Sequence, residues 1–404
     1  MLYLAYQAHS DMIEPAKSMA RSQLAMLGSW GAAANVPMLR NLSATYELIT
    51  RTGLTHTRPD YGIDTVRVGN QEVEVTEDPV LTLPFGTLLN FKKDSPSPQP
   101  RVLVVAPLSG HFATLLRNTV RTLLPDHDVY ITDWHNARDV SLSDGRFGFD
   151  DYVDYVIRFL ETMGPGSHMV AVCQPCVQAL VATAVMSATG NKAFPHSMTL
   201  MAGPIDTRIN PTKVNELAMS KPIDWFENNL IARVPFRHKG AGRKVYPGFV
   251  QLAAFVSMNL QRHYNAHQEL YEHLANGEHE AAERIKTFYD EYFAVLDLSA
   301  EFYLETVKWV FQDALLAKGE LKYKGEPVEL KAIRKTALLT VEGERDDICS
   351  LGQTAVAHDL CTSLRPHMKR HHMQTGVGHY GVFSGRRWEG QIYPLVRNMI
   401  LASD

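Results

Sequence analysis

The chain has 404 residues, 45% of them apolar, and its 40 lysines and arginines stand against 44 aspartates and glutamates for a formal net charge of -4. That balance excludes the basic stripe of a nucleic-acid binder, and no apolar run approaches the ~18 residues of a membrane helix. The four cysteines, Cys173, Cys176, Cys349 and Cys361, are too few for a disulfide scaffold. The opening Met1-Leu2-Tyr3-Leu4 lacks a basic stretch and is followed by Asp11 and Glu14, so a signal peptide is not expected and a cytoplasmic location is.

Residues 1–50 read as helices rich in Ala, Leu and Met, punctuated by Pro15 and Pro37. Over 64–92, Thr65–Val68 and Glu72–Val75 alternate apolar and polar around Gly69-Asn70, a hairpin signal. Residues 94–100 form a Ser/Pro-rich connection. Short apolar runs then alternate with helical periods. Strands are expected at Val102–Ala106, Asp128–Thr132, His168–Val172 and Ser197–Met201, and helices at about 112–125, Phe149–Met163 and about 175–188. Asp150 and Asp151 suit the start of the second helix. The alternation stops near 205, and 206–330 reads as mainly helical, broken at Pro211, Pro222, Pro235 and Pro247. Strands resume at Ala337–Val341 and Arg370–Gln374, before a helix over about 388–402. Alternating strands and helices predict a doubly wound, mostly parallel sheet. The division expected is 1–205 with 331–404 as the core (1–60 a helical extension) and 206–330 as a cap inserted after the fourth parallel strand.

Cys173 stands where the third of these strands meets its helix. A nucleophile there is lifted clear of the sheet on a tight turn, and small residues two before and two after it keep the turn free of clashes. The frame here is Ala171-x-Cys173-x-Pro175. Pro is tolerated in a first helical turn because its missing N–H is not needed there, and a helix N-terminus favours a thiolate. Three other readings compete at this point: a buried structural cysteine, a redox pair in Cys173-Gln174-Pro175-Cys176, and a metal ligand lacking its partners.

An α/β-hydrolase carries nucleophile, acid and histidine in that chain order. The strand Ala337–Val341 leads into Glu342-Gly343-Glu344-Arg345-Asp346-Asp347, where Asp346 is the chosen acid and Asp347 the reserve. After the last strand, Gly376-Val377-Gly378-His379-Tyr380-Gly381 places His379 among glycines on an expected open loop. Neither partner is anticipated by a redox function. For the oxyanion hole, the N–H after the nucleophile, Gln174, pairs with one from Pro107-Leu108-Ser109-Gly110-His111, assigned to Ser109 with Leu108 close behind. Gly110 is expected to let a ligand approach the backbone.

These segments, with Val105-Ala106-Pro107-Leu108-Ser109-Gly110-His111-Phe112, resemble the intracellular polyhydroxybutyrate depolymerases of bacteria over nearly the whole chain. The resemblance implies a Cys-Asp-His triad at Cys173, Asp346 and His379. It also implies a poly(3-hydroxybutyrate) substrate held in cytoplasmic storage granules. More distantly the chain is similar to polyhydroxyalkanoate synthases, which usually carry G-x-C-x-G; Ala171 and Pro175 depart from that form and favour the depolymerase branch.

The expected reaction is ester cleavage through a thioester on Cys173, released by water, with no cofactor. Coenzyme A as acyl acceptor stays open, as do an acyltransferase resembling the synthases, a thiol-disulfide protein, a non-catalytic granule coat and a homo-oligomer. Aromatics of the insert, Trp225, Phe226, Phe236, Tyr246, Phe249, Phe255, Trp309 and Phe311, are expected either in the cap's core or on a surface that meets insoluble polymer. His263 and His267 have the spacing of two metal ligands without a third. The stretch Gly240-Ala241-Gly242-Arg243 lacks the preceding strand of a phosphate loop and reads as a basic loop. Cys349 and Cys361 read as structural.

Overall fold

The computed structural model describes residues 2–30, 36–95, 97–258 and 260–404. Met1 and 31–35, within the expected N-terminal helices, Pro96 in the Ser/Pro-rich connection, and Asn259 in the insert lie outside the described residues. The strands β1 (Thr65–Val68), β2 (Gln71–Leu83), β3 (Gly86–Lys93), β4 (Arg101–Val105), β5 (Asp128–Trp134), β6 (Ser167–Val172), β7 (Ser197–Met201), β8 (Ala337–Gly343) and β9 (Lys369–Gln374) form one nine-stranded sheet in the order β1-β2-β3-β5-β4-β6-β7-β8-β9. From β3 to β5 the pairing is antiparallel, and from β5 to β9 every pairing is parallel. This is the α/β-hydrolase arrangement: β1 and β3 run opposite to the other strands, and β4 and β5 are exchanged.

Burial explains which segments became central. Every residue of β6, β7 and β8 is buried, as parallel strands covered on both faces by helices require. The flanking helices are α3 (Arg117–Leu123), α4 (Phe149–Met163) and α5 (Cys176–Ala188). At the edge, Lys-Arg-His-His of β9 is half-buried to exposed, and charge on an edge strand discourages pairing with another chain. The hairpin turns at Gly69, whose φ of 58° suits glycine, with Val68 opposite Gln71. The sequence reading passed over β3 and the continuation of β2.

Two N-terminal helices, α1 (Leu2–Ser29) and α2 (Pro37–Thr50), open the chain. Pro15 was expected to punctuate but lies inside α1, whereas Pro37 does start α2. Both helices lie against the 206–330 segment. Tyr3 Oη donates to Asp297 Oδ2 at 2.7 Å, and Tyr6 stacks on Phe249 with centroids 4.1 Å apart. Arg51 pairs with Asp290 at 2.5 Å.

Between β7 and β8 the chain forms α6 (Lys213–Met219), α7 (Ile223–Leu230), α8 (Gly248–Met258), α9 (Leu260–Asn276), α10 (His279–Tyr292) and α11 (Ala300–Thr306). It also contains a small antiparallel sheet of Ala232–Arg233, Lys244–Tyr246 and Leu298–Ser299. Runs of two or three residues are too short to carry a period of two, so these strands left no trace in the pattern. Among the described residues no helix is long and apolar enough to cross a membrane.

Candidate active site

The candidate residues gather at the carboxyl ends of β4, β6, β8 and β9, beside the point where the strand order reverses, which is where open α/β sheets bind ligands. Cys173 follows β6 and adopts φ 67°, a left-handed conformation that costs a side-chain-bearing residue roughly 1–3 kcal/mol and persists only when its surroundings enforce it. Its N–H donates to Met201 O at 2.8 Å, and its carbonyl accepts from Cys176 N at 3.1 Å. Pro175 sits at the N-cap of α5 with φ −71°, so the absent glycine is replaced by a residue already shaped for a helix start. The room comes from the neighbouring strand end. A Cβ on Gly203 would lie 2.4 Å from Cys176 Sγ and 3.2 Å from Cys173 O. Gly203 was missed in the sequence, because nothing in its local pattern tells that the elbow passes it.

Cys173 is half-buried, Cys176 is fully buried, and both are free thiols. The Cys176 thiol points back into the elbow and donates to Ala171 O at 3.3 Å. Burial, and next the nearby Cys173, push its pKa well up. A resolving cysteine has to be an accessible, ionisable thiol, and Cys176 is neither.

Asp346 and His379 meet: Asp346 Oδ2 lies 2.7 Å from His379 Nδ1. The other carboxylate oxygen accepts the N–H groups of Ile348 and Cys349 at 2.9 and 2.8 Å, which fixes the acid's orientation. Asp346 is buried and Asp347 exposed. For His379, burial opposes the charged ring, yet Asp346 and Cys173, through charge and a hydrogen bond from each, hold its pKa well above 6.5. The expected open loop is instead a short 3-10 turn, His379–Val382, with the imidazole buried.

The acid loop has a support that the sequence reading did not single out. Glu342, 1% exposed, accepts from Gly352 N at 3.0 Å, Thr354 N at 2.8 Å and Ala355 N at 2.9 Å. Thr354 Oγ1 in turn accepts from Gly203 N at 2.8 Å and donates to Gly203 O at 3.0 Å. The loop bearing Asp346 is thereby tied to the strand end that makes room for Cys173.

Neither the Gln174 N–H nor the Ser109 N–H donates to a protein acceptor among the described residues. The Gln174 side chain, 7% exposed, has no partner for either amide atom. Gly110 does not face a ligand: a Cβ there would stand 2.9 Å from Gln251 Cγ of α8, so its bareness admits a cap helix. His111, expected only as part of the loop, reaches Tyr292 O with Nε2 at 3.1 Å, and burial lowers its pKa to about 4.

Beside His379 lies a cavity of about 350 Å³, walled by Gly378, Tyr380 and Gly381 and by Arg345, Asp347 and Ile348. Its far wall comes from Phe255 of α8, Arg262 and His263 of α9, and Phe288 and Tyr292 of α10. Of the aromatics singled out from sequence, only Phe255 is there. Phe226 and Tyr246 are buried, Trp309 packs on Phe149, and Phe236 is 98% exposed. His263 Nδ1 contacts Tyr289 Oη at 2.9 Å and His267 Nδ1 contacts His263 O at 2.8 Å. Among the described residues no group of three potential metal ligands occurs. Arg243 is buried and bonds Val140 O at 3.0 Å and Gly145 O at 2.8 Å, so its guanidinium ties down a loop.

The family model described as PHB de-polymerase C-terminus matches residues 202–404. No curated protein matches the chain. Among solved structures, the chain is similar to a putative lipase from Acinetobacter baumannii at 14% identity, over 82% of this chain and 93% of that one, with a TM-score of 0.43. It is also similar to an epoxide hydrolase from Bacillus megaterium at 10% identity, over 83% and 99% of the two chains, with a TM-score of 0.47.

Proposed function

Since the chain belongs to the family described as PHB de-polymerase C-terminus, we propose that it hydrolyses ester bonds of poly(3-hydroxybutyrate) with Cys173 as nucleophile. The observation that carries this reading is the Asp346–His379 contact of 2.7 Å with Cys173 bearing on the same imidazole. In a site built this way the sulfur attacks the ester carbonyl after His379 takes its proton. The N–H groups of Gln174 and Ser109 are the candidates for the oxyanion, and neither donates to a protein acceptor among the described residues. His379, now an imidazolium steadied by Asp346, gives its proton to the leaving alkoxide, and a thioester remains on Cys173. Water, activated by the same ring, then releases the acid.

Residues 206–330 serve as the cap in this reading, because their helices wall the cavity beside His379. The buried amide of Gln174, without a partner among the described residues, supports a site that receives a polar group, since buried polar atoms are otherwise satisfied. A thiol-disulfide function is disfavoured by the inward-facing Cys176. Granule association and a cytoplasmic location belong to the proposal. The test is incubation of the purified protein with amorphous poly(3-hydroxybutyrate) granules. Release of 3-hydroxybutyrate or its oligomers is expected, and a protein that binds granules without releasing acid would refute the reading.

A further inference from the structure

The cavity beside His379 has a chemical direction. When an ester is cleaved at such a site, the carbon–sulfur bond forms on the acyl side and the carbon–oxygen bond breaks. The electron pair goes to the alkoxide, which takes the proton from His379. The alcohol portion must therefore lie on the histidine side, where this cavity is. In a 3-hydroxyacid polyester the alcohol portion of the last unit ends in a free carboxylate.

Two guanidinium side chains line the same cavity, Arg262 from α9 and Arg345 from the acid loop. Among the described residues neither forms an ion pair with a protein carboxylate. Asp347, the carboxylate on this wall, already has a partner. Arg345 is adjacent to Asp346, and its N–H donates to Val377 O at 2.9 Å, which fixes the origin of its side chain. Tyr380, next to His379 in the chain, lines this cavity together with both arginines. Phe255, Phe288 and Tyr292 supply apolar walls. An apolar cavity with a few convergent charged groups is the ordinary form of a small-molecule site, and guanidinium matches carboxylate geometry.

Resting on the ester-hydrolase reading above, we propose that Arg262 and Arg345 bind the free carboxylate of a hydroxyacid chain end, so that the enzyme cleaves from the carboxyl terminus and releases a short hydroxy acid at each cleavage. The anion bound is the substrate's own carboxylate; a phosphate on a soluble acyl acceptor is the competing source of the same chemistry.

The experiment compares the linear trimer of 3-hydroxybutyrate with its methyl ester by kcat/KM. The free acid is expected to be preferred by roughly tenfold or more, the factor that a charge-assisted hydrogen bond supplies. Arg262→Gln and Arg345→Gln should each shrink that preference by loss on the acid alone, and the double variant should bring the ratio near one. Adenosine 3′,5′-bisphosphate, as the phosphate probe, should not inhibit. Equal cleavage of acid and ester by the unaltered protein would overturn the proposal without touching the hydrolase reading. So would equal losses on both substrates in the variants, or inhibition by the bisphosphate without an acid preference. Failure to cleave either trimer or the polymer would overturn the hydrolase reading, and this inference with it. The comparison in unaltered protein stands even where a variant does not fold.

Discussion

Asp346 faces His379 with one carboxylate oxygen, at 2.7 Å from Nδ1, while its other oxygen is held by two backbone N–H groups of its own loop. The pair is separated by 33 residues and brought together by the parallel pairing of β8 with β9. Since the acid is anchored where it meets the imidazole, its role in the proposed reaction is to orient and charge-stabilise the ring.

Asp346→Asn keeps the shape and removes the charge. Loss of a charged acid in a triad of this type lowers kcat by on the order of 10⁴-fold. The sign of the pH effect follows from the His379 shift. Its pKa is raised above 6.5, so the imidazolium persists above the ordinary histidine range and is lost as pH rises through the raised value. Without Asp346 that value falls. Since the ring has to be neutral to take the Cys173 proton, the acid limb of kcat/KM should therefore move to lower pH in the variant. The stability contributed by the pair is fully present below about 6.5 and fades above it, so the melting-temperature gap between the two proteins should be widest at the acid end. An unmoved acid limb would argue that another group holds the ring.

Cys176→Ser should remain active. The thiol donates inward to Ala171 O, and a hydroxyl makes the same bond at a stability cost of about 1–2 kcal/mol. A rate within a few-fold of the parent is expected; abolished turnover would revive the redox reading.

Glu342→Gln tests the support under the acid loop. An amide replaces a carboxylate that accepts three backbone N–H groups, and hydrogen bonds to a charged group are worth about 1.5–3 kcal/mol each. Thermal unfolding should show a loss of roughly 2–3 kcal/mol, and kcat should fall more than KM rises because Asp346 rides on that loop. A variant as stable and active as its parent would remove Glu342 from the account.

Gly203→Ala places a methyl group 2.2 Å from Cys176 Cβ and 3.2 Å from Cys173 O. Overpacking of this kind costs typically about 1–3 kcal/mol, and here it presses on the elbow itself. Activity per folded molecule should drop along with the melting temperature. Combining it with Cys176→Gly removes both the Cβ and the Sγ that the methyl meets and should recover part of both.

Much of the frame was legible because local chemistry and burial agreed. The period of Phe149–Met163, with acids at its start, reproduced α4 residue for residue, and Ser197–Met201 reproduced β7. The positions of Cys173, Asp346 and His379 after successive strands were readable because strand ends impose their order; the roles given to them belong to the proposal. What stayed hidden depends on contacts between distant segments. Glu342 looks like one more surface acid until the loop folds over it, and Gly203 looks like an ordinary turn residue until α5 begins beside it. Phe288 and Tyr292 belong to a helix of unremarkable pattern; only its packing across His379 makes them part of the site. The role of Gly110 was misread for the same reason, since the approaching group is α8.

The central claim is tested most directly by acid-quenching a reaction on 3-hydroxybutyrate oligomers and weighing the peptide that carries Cys173. A hydroxybutyryl thioester on that sulfur is predicted for the parent protein, and no adduct and no turnover for Cys173→Ala. Release of 3-hydroxybutyrate by the alanine variant at the parent's rate would contradict it.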